Sequence, residues 1–154
     1  MVAALVAATL AASAIGAGPH GAVVVTDPDG RTLARLPLGA DGDFALRYRN
    51  SLYGTRAEER FSVAGDGNFN LVELAAEQLA VLEEYYAVDE APRGSASGWW
   101  TAAPSHELEL DRLRVAATDL GQRSLIVPGQ PPLDLWRLVP DSAPSVLITV
   151  DGGP

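Results

Sequence analysis

The feature that most narrows the fold is a period of two, interrupted at short intervals by turn chemistry. Phe44, Leu46 and Tyr48 alternate with Ala45, Arg47 and Arg49, the spacing of a strand with one face buried and the other facing water. The runs Asp27-Pro28-Asp29-Gly30, Gly39-Ala40-Asp41-Gly42, Gly65-Asp66-Gly67 and Pro128-Gly129-Gln130-Pro131-Pro132 punctuate the chain in the manner of antiparallel β proteins. Further strands are expected over residues 22–26, 32–36, 58–63, 112–117, 124–127, 133–138 and 145–150, with Leu108, Leu110 and Leu113 marking another half-buried pair of segments. The predicted class is mainly β: a small antiparallel sandwich or barrel with at most one helix, preceded by an apolar N-terminal helix. Residues 22–154 have the size of one ordinary domain with a single core.

One stretch departs from the alternation. Leu71, Leu74, Ala75, Leu79, Leu82 and Tyr86 recur at helical spacing while Glu73, Glu77 and Glu84 take another face, which predicts a helix over residues 71–86. Strand pairing is the force that can override such a preference. Residues 93–97 read as a flexible surface loop.

At the other end of the chain, residues 2–18 carry no charge. As a helix they span about 26 Å, slightly short of the roughly 30 Å hydrocarbon core of a bilayer. Residues 1–18 are therefore an apolar leader or a membrane anchor. Ala12 with Ala14, or Ile15 with Ala17, offers a cleavage context, and no basic residue precedes the run. Uncleaved, it ties the domain to the membrane.

Composition closes several functional classes. The formal net charge of −9 lies wholly at or after Asp27, so nucleic acid is not an expected partner. All eleven cationic side chains are Arg; without Lys there is no phosphate-loop lysine and no Schiff-base or pyridoxal attachment. The chain has no Cys, which removes thiolate nucleophiles, disulfides and Cys-ligated metals. His20 and His106 are the only imidazoles, and neither sits in a catalytic motif. No nucleophile elbow surrounds Ser51, Ser62 or Ser97, and no glycine-rich nucleotide loop opens a helix. No catalytic residue, cofactor or metal is assigned.

Three constellations have residue types that could form a site. Asp66, Asn68, Asn70 and Glu77 stand at positions one, three, five and twelve of a calcium loop, but Leu71 occupies the position of the turn glycine and Glu73 replaces an apolar residue. A turn followed by a negatively charged face accounts for the same residues. The pairs Glu58-Glu59 and Glu83-Glu84, and Glu107 with Glu109, are the raw material of a carboxylate hydrolase, yet neighbours on a strand point to opposite faces, so Glu58 and Glu59 cannot face each other. A core-facing carboxylate meeting an Arg of strand 44–49 would instead make a buried ion pair. Tyr85-Tyr86 and Trp99-Trp100 carry large rings suited to the core or to gripping a ligand or partner.

The segments Phe44-Ala45-Leu46-Arg47-Tyr48-Arg49-Asn50-Ser51-Leu52-Tyr53 and Ala57-Glu58-Glu59-Arg60-Phe61-Ser62-Val63 resemble the bacterial domain-of-unknown-function family eighteen-fifty, small exported domains often encoded beside TRAP-type TAXI transporters. That family's pattern is a strand ending in an aromatic residue, a variable position and a His-Ser pair, then an acidic pair and an aromatic. Asn50 stands where the family has histidine, Ser51 is kept, and Glu58, Glu59 and Phe61 match best; no histidine role carries over. The resemblance extends loosely over residues 32–150. It implies an extracytoplasmic domain, membrane-anchored or secreted: a non-catalytic accessory or binding module whose partner is a membrane transporter or solute-binding protein. The ligand-facing or partner-facing candidates are Asn50, Ser51, Tyr53, Glu58, Glu59, Trp99 and Trp100. A hydrolase using paired carboxylates and a structural envelope domain are the alternative functions.

Overall fold

The computed structural model describes residues 21–152; the expected apolar helix within residues 1–18 lies outside them. The described residues form β1 (Ala22–Thr26), β2 (Thr32–Pro37), β3 (Asp43–Arg49), β4 (Arg56–Val63), β5 (Phe69–Ala76), β6 (Arg93–Gly94), β7 (Trp100–Ala102), β8 (Glu109–Leu110), β9 (Leu113–Ala116), β10 (Ser124–Ile126), β11 (Leu133–Asp134) and β12 (Ser145–Asp151). The smaller sheet has the order β2-β1-β12-β9. The larger runs β11-β10-β3-β4-β5-β7-β6, with β8 also pairing β5. All of these pairings are antiparallel.

The alternating residues explain why the sheets meet. Val23 and Val25 of β1, Val115 of β9 and Val146 and Ile148 of β12 pack against Phe44 and Leu46 of β3, Phe61 of β4, Phe69 of β5 and Leu125 of β10. The three Phe rings touch one another. Phe44 and Phe61 stack with centroids 5.1 Å apart, and Phe69 stands edge-on to them at 5.2 and 5.6 Å. Such pairs add about 0.5–1.5 kcal/mol each beyond the area they bury.

A second cluster lies toward the β3–β4 turn, where Tyr48, Ala57, Leu74, Ala76 and Ala102 are covered by Val81 and Leu82. Those two residues belong to a five-residue π turn, Val81–Tyr85, closed by the Tyr86 N–H on the Val81 carbonyl. This turn and a three-residue 3-10 turn, Leu135–Arg137, are the helical elements among the described residues.

The helix predicted over residues 71–86 is therefore corrected: its first six residues complete β5. The register explains the misleading spacing. Leu71 faces Phe61 and Glu73 faces Arg60, so Val72 is an extra residue, a β-bulge in β5. The inward residues of this strand are Phe69, Leu71, Leu74 and Ala76, and the bulge turns what would be a step of two into a step of three between Leu71 and Leu74. An interrupted strand thus mimics a helix face.

Two smaller expectations also change. In residues 133–138 only the first two are strand; the chain then enters the 3-10 turn, which drops Leu135 fully into the core. Residues 93–97 contribute β6 and open a hairpin to β7, with the Ser95 N–H donating to the Trp99 carbonyl at 2.8 Å and Gly98 in the left-handed region that the turn requires.

Candidate functional site

On β3, Arg47 and Arg49 share parity with Ala45 and oppose the inward Phe44, Leu46 and Tyr48, so they stand on the face of the large sheet turned away from the small one. The β3–β4 register sets Arg56 opposite Arg49 and Glu58 opposite Arg47. The turn between the strands is built by Asn50, whose buried Oδ1 accepts the N–H groups of Leu52 at 3.0 Å and Tyr53 at 3.1 Å. Its backbone carbonyl accepts from the Gly54 N–H at 2.7 Å, and its N–H donates to Thr55 at 2.8 Å.

From the other side, β10 places Ser124 opposite Arg47 and β11 places Asp134 opposite Ser124, whose hydroxyl donates to the Asp134 carboxylate at 2.8 Å. The 3-10 turn then presents Trp136 and Arg137. The Arg137 guanidinium stacks on the Trp136 ring at 4.5 Å and lies 3.3 Å from Asp134. Together these strands wall a pocket of about 370 Å³ lined by Arg47, Arg49, Arg56, Arg137, Trp136 and Gln122, among others. That volume suits a small molecule, for which pockets run from roughly 300 to 1,000 Å³.

Charge accounting decides what the pocket favours. Arg47 is paired with Glu58 at 2.7 Å, Arg56 with Glu77, and Arg137 with Asp134. Arg49 has no carboxylate within ion-pair distance among the described residues; its Nε reaches only the Gly54 carbonyl at 3.4 Å. Four guanidinium groups thus face three carboxylates, leaving one positive charge in excess on a chain whose net charge is −9. The Arg56 side chain and backbone N–H both donate to Glu77, which holds that carboxyl below its ordinary range and raises Arg56. Gln122, on the pocket wall, has φ +44, in the left-handed region that a residue with a Cβ rarely enters; such backbone strain gathers at functional sites.

Glu58 and Glu59 separate as strand geometry requires. Glu58, nearly buried, accepts from Arg47 and, at 3.0 Å, from Arg60, which also pairs with Glu73. An alternating ladder Arg47–Glu58–Arg60–Glu73 therefore crosses β3, β4 and β5, the ion pair anticipated for strand 44–49, but on the outward face. Glu59 lies on the opposite side and accepts from the Tyr86 hydroxyl at 2.8 Å, which meets the Tyr48 hydroxyl at 2.6 Å. Burial raises the Tyr48 hydroxyl to about 12 and, with the nearby Glu59 charge, raises Tyr86 as well. The Arg123 guanidinium sits 5.5 Å from the Tyr48 ring centre.

The other candidates scatter. Ser51 is exposed and, with Asn50, borders a smaller hollow of about 120 Å³ that shares Tyr48 and Arg49 with the arginine pocket. Tyr53 donates to Glu84 at 2.5 Å. Trp99 lies 5.9 Å from the Arg56 guanidinium, whereas Trp100 lies across Gly94 and against the second apolar cluster. Asp66 and Asn68 bond each other and Asn68 reaches Glu109, while Glu77 sits at the far end of β5 on Arg56, so the four residues of the calcium-like spacing do not converge.

Arg47, Arg49, Arg56, Arg137, Trp136 and Gln122 were not anticipated as site residues. The i, i+2 spacing of Arg47 and Arg49 followed by a short turn to Arg56 was the available signal, because a hairpin places all three on one face. No family model, curated protein or solved structure matches the chain.

Proposed function

We propose that this domain is a non-catalytic binding module for a small organic anion carrying one negative charge, received by the arginine-lined pocket at the end of β3 and β4. The single unpaired guanidinium of Arg49, among four arginines and three carboxylates, carries this reading. A carboxylate accepts two parallel N–H donors from such a group, and Trp136 offers a flat wall for an apolar or aromatic body. Glu58 is already engaged by two arginines and Glu59 faces away from it, so the pair favours a structural role over hydrolysis.

The uncharged residues 2–18 and the resemblance to transporter-linked exported domains support an extracytoplasmic setting, with the module handing an anionic solute to, or sensing it for, a membrane transporter. Calorimetric titration with benzoate tests the site. Binding that falls at least tenfold in Arg49→Ala and weakens with added salt is the expected result. Equal binding of neutral benzamide, or an Arg49→Ala protein that binds as well as the parent, would refute it.

A further inference from the structure

A second pocket, about 350 Å³, adjoins the first and shares Arg47 with it. Its walls differ in kind. The register Ile126–Ala45–Arg60 places Ala45 between an apolar residue of β10 and the ladder, and Pro128 and Val72 close the sides. Val72 is the bulged residue of β5. The bulge turns it outward, and it keeps 49% of its surface exposed, an apolar side chain held in water beside a hollow. Arg47 lies between the two pockets with its guanidinium tied to Glu58 by Nε and a terminal nitrogen, both at 2.7 Å. With the charge held on Glu58, the apolar stem of Arg47 is the part left to line the boundary between the two pockets.

We infer that the anion is a monocarboxylate with an extended apolar tail, its head on Arg49 and its tail along β3 over Ala45, Ile126 and Val72. This inference rests on the anion-binding reading above and adds the ligand's length and polarity. From Arg49 to Ala45 is four residues of strand, about 13 Å at ~3.3 Å per residue, which corresponds to a straight chain of about ten carbons. Asp43, two residues beyond Ala45 on β3 and lining the second pocket, disfavours a second negative charge there, so a dicarboxylate of the same length is excluded from the class.

The test titrates straight-chain carboxylates from acetate to dodecanoate, each below its micellar concentration, into the full chain held in lipid nanodiscs, with empty nanodiscs as the blank. Affinity should rise about fourfold per methylene and level off near ten carbons. Val72→Asp, a change at an exposed position, should erase the gain with length. Acetate and decanoate binding equally would overturn the tail assignment and leave the anion site standing. A gain that continues past ten carbons, or that Val72→Asp does not touch, would show general adsorption and also overturn it. Octanol binding as tightly as octanoate, or no response of any carboxylate to Arg49→Ala, would overturn the anion reading itself.

Discussion

Replacing Glu58 by Gln should lower stability and raise anion affinity at once. Glu58 is 5% exposed and holds Arg47 and Arg60 through contacts of 2.7 to 3.0 Å. Removing one partner of a buried ion pair costs about 3–5 kcal/mol, chiefly because the stranded charge stays unsolvated. Here the two arginine side chains keep 35% and 37% of their surface in water, so solvent recovers part of that loss, and the expected cost is about 1.5–3 kcal/mol. Glu73→Gln is the internal control: its side chain is 38% exposed and its removal should cost at most about 1 kcal/mol. Urea unfolding followed by tryptophan fluorescence and circular dichroism measures both. In the binding assay the freed Arg47 adds a second unpaired guanidinium to the pocket, worth about tenfold in benzoate affinity as a charge-assisted hydrogen bond. Two variants of equal stability, within about 0.5 kcal/mol, would refute the buried-pair argument. Weaker benzoate binding by Glu58→Gln would refute the charge accounting.

Two further outcomes follow from the same geometry. In the folded state burial keeps the Tyr48 hydroxyl protonated up to about 12, against an ordinary value of 10.0; the protonated form is the one folding favours, so this contribution is complete below pH 10 and declines as pH rises from 10 to about 12. Tyr86 shifts in the same direction, and the urea midpoint of the parent should fall more steeply over that interval than that of Tyr48→Phe; parallel slopes would contradict it. Gln122→Gly should hold or raise stability by up to about 1 kcal/mol, because glycine enters the left-handed region freely. A denaturant midpoint corresponding to a loss above about 0.5 kcal/mol would show that Gln122 is not strained.

The parts of the fold legible in the sequence were those governed by neighbours two residues apart. Phe44, Leu46 and Tyr48 declared an inward face, and the Gly- and Asp-rich runs declared where chains reverse. β5 was misread because its bulge is set by pairing to β4, which no local pattern reports; Leu71 and Leu74 look three apart for a reason that lies in another strand. The short β6 and β7 were invisible for a related cause: two or three residues carry too little alternation to rise above their surroundings. Among the site residues, Asn50 and Ser51 were singled out by their place in a motif, and the structure gives Asn50 the work of closing a turn. The pocket itself escaped notice because Trp136 and Arg137 join Arg47, Arg49 and Arg56 only after some eighty intervening residues have folded, and because arginine spread through a uniformly Lys-free chain looks like composition.

The extra residue in β5 also separates two kinds of constraint. Phe69, Leu71, Leu74 and Ala76 would still alternate inward if position 72 were deleted, so loss of a single codon there leaves the inter-sheet packing intact while rewriting the outward surface. Drift at this one point can therefore reshape the outer face without threatening the architecture behind it, and a shortened β5 in a related chain would mark a changed surface on an unchanged scaffold.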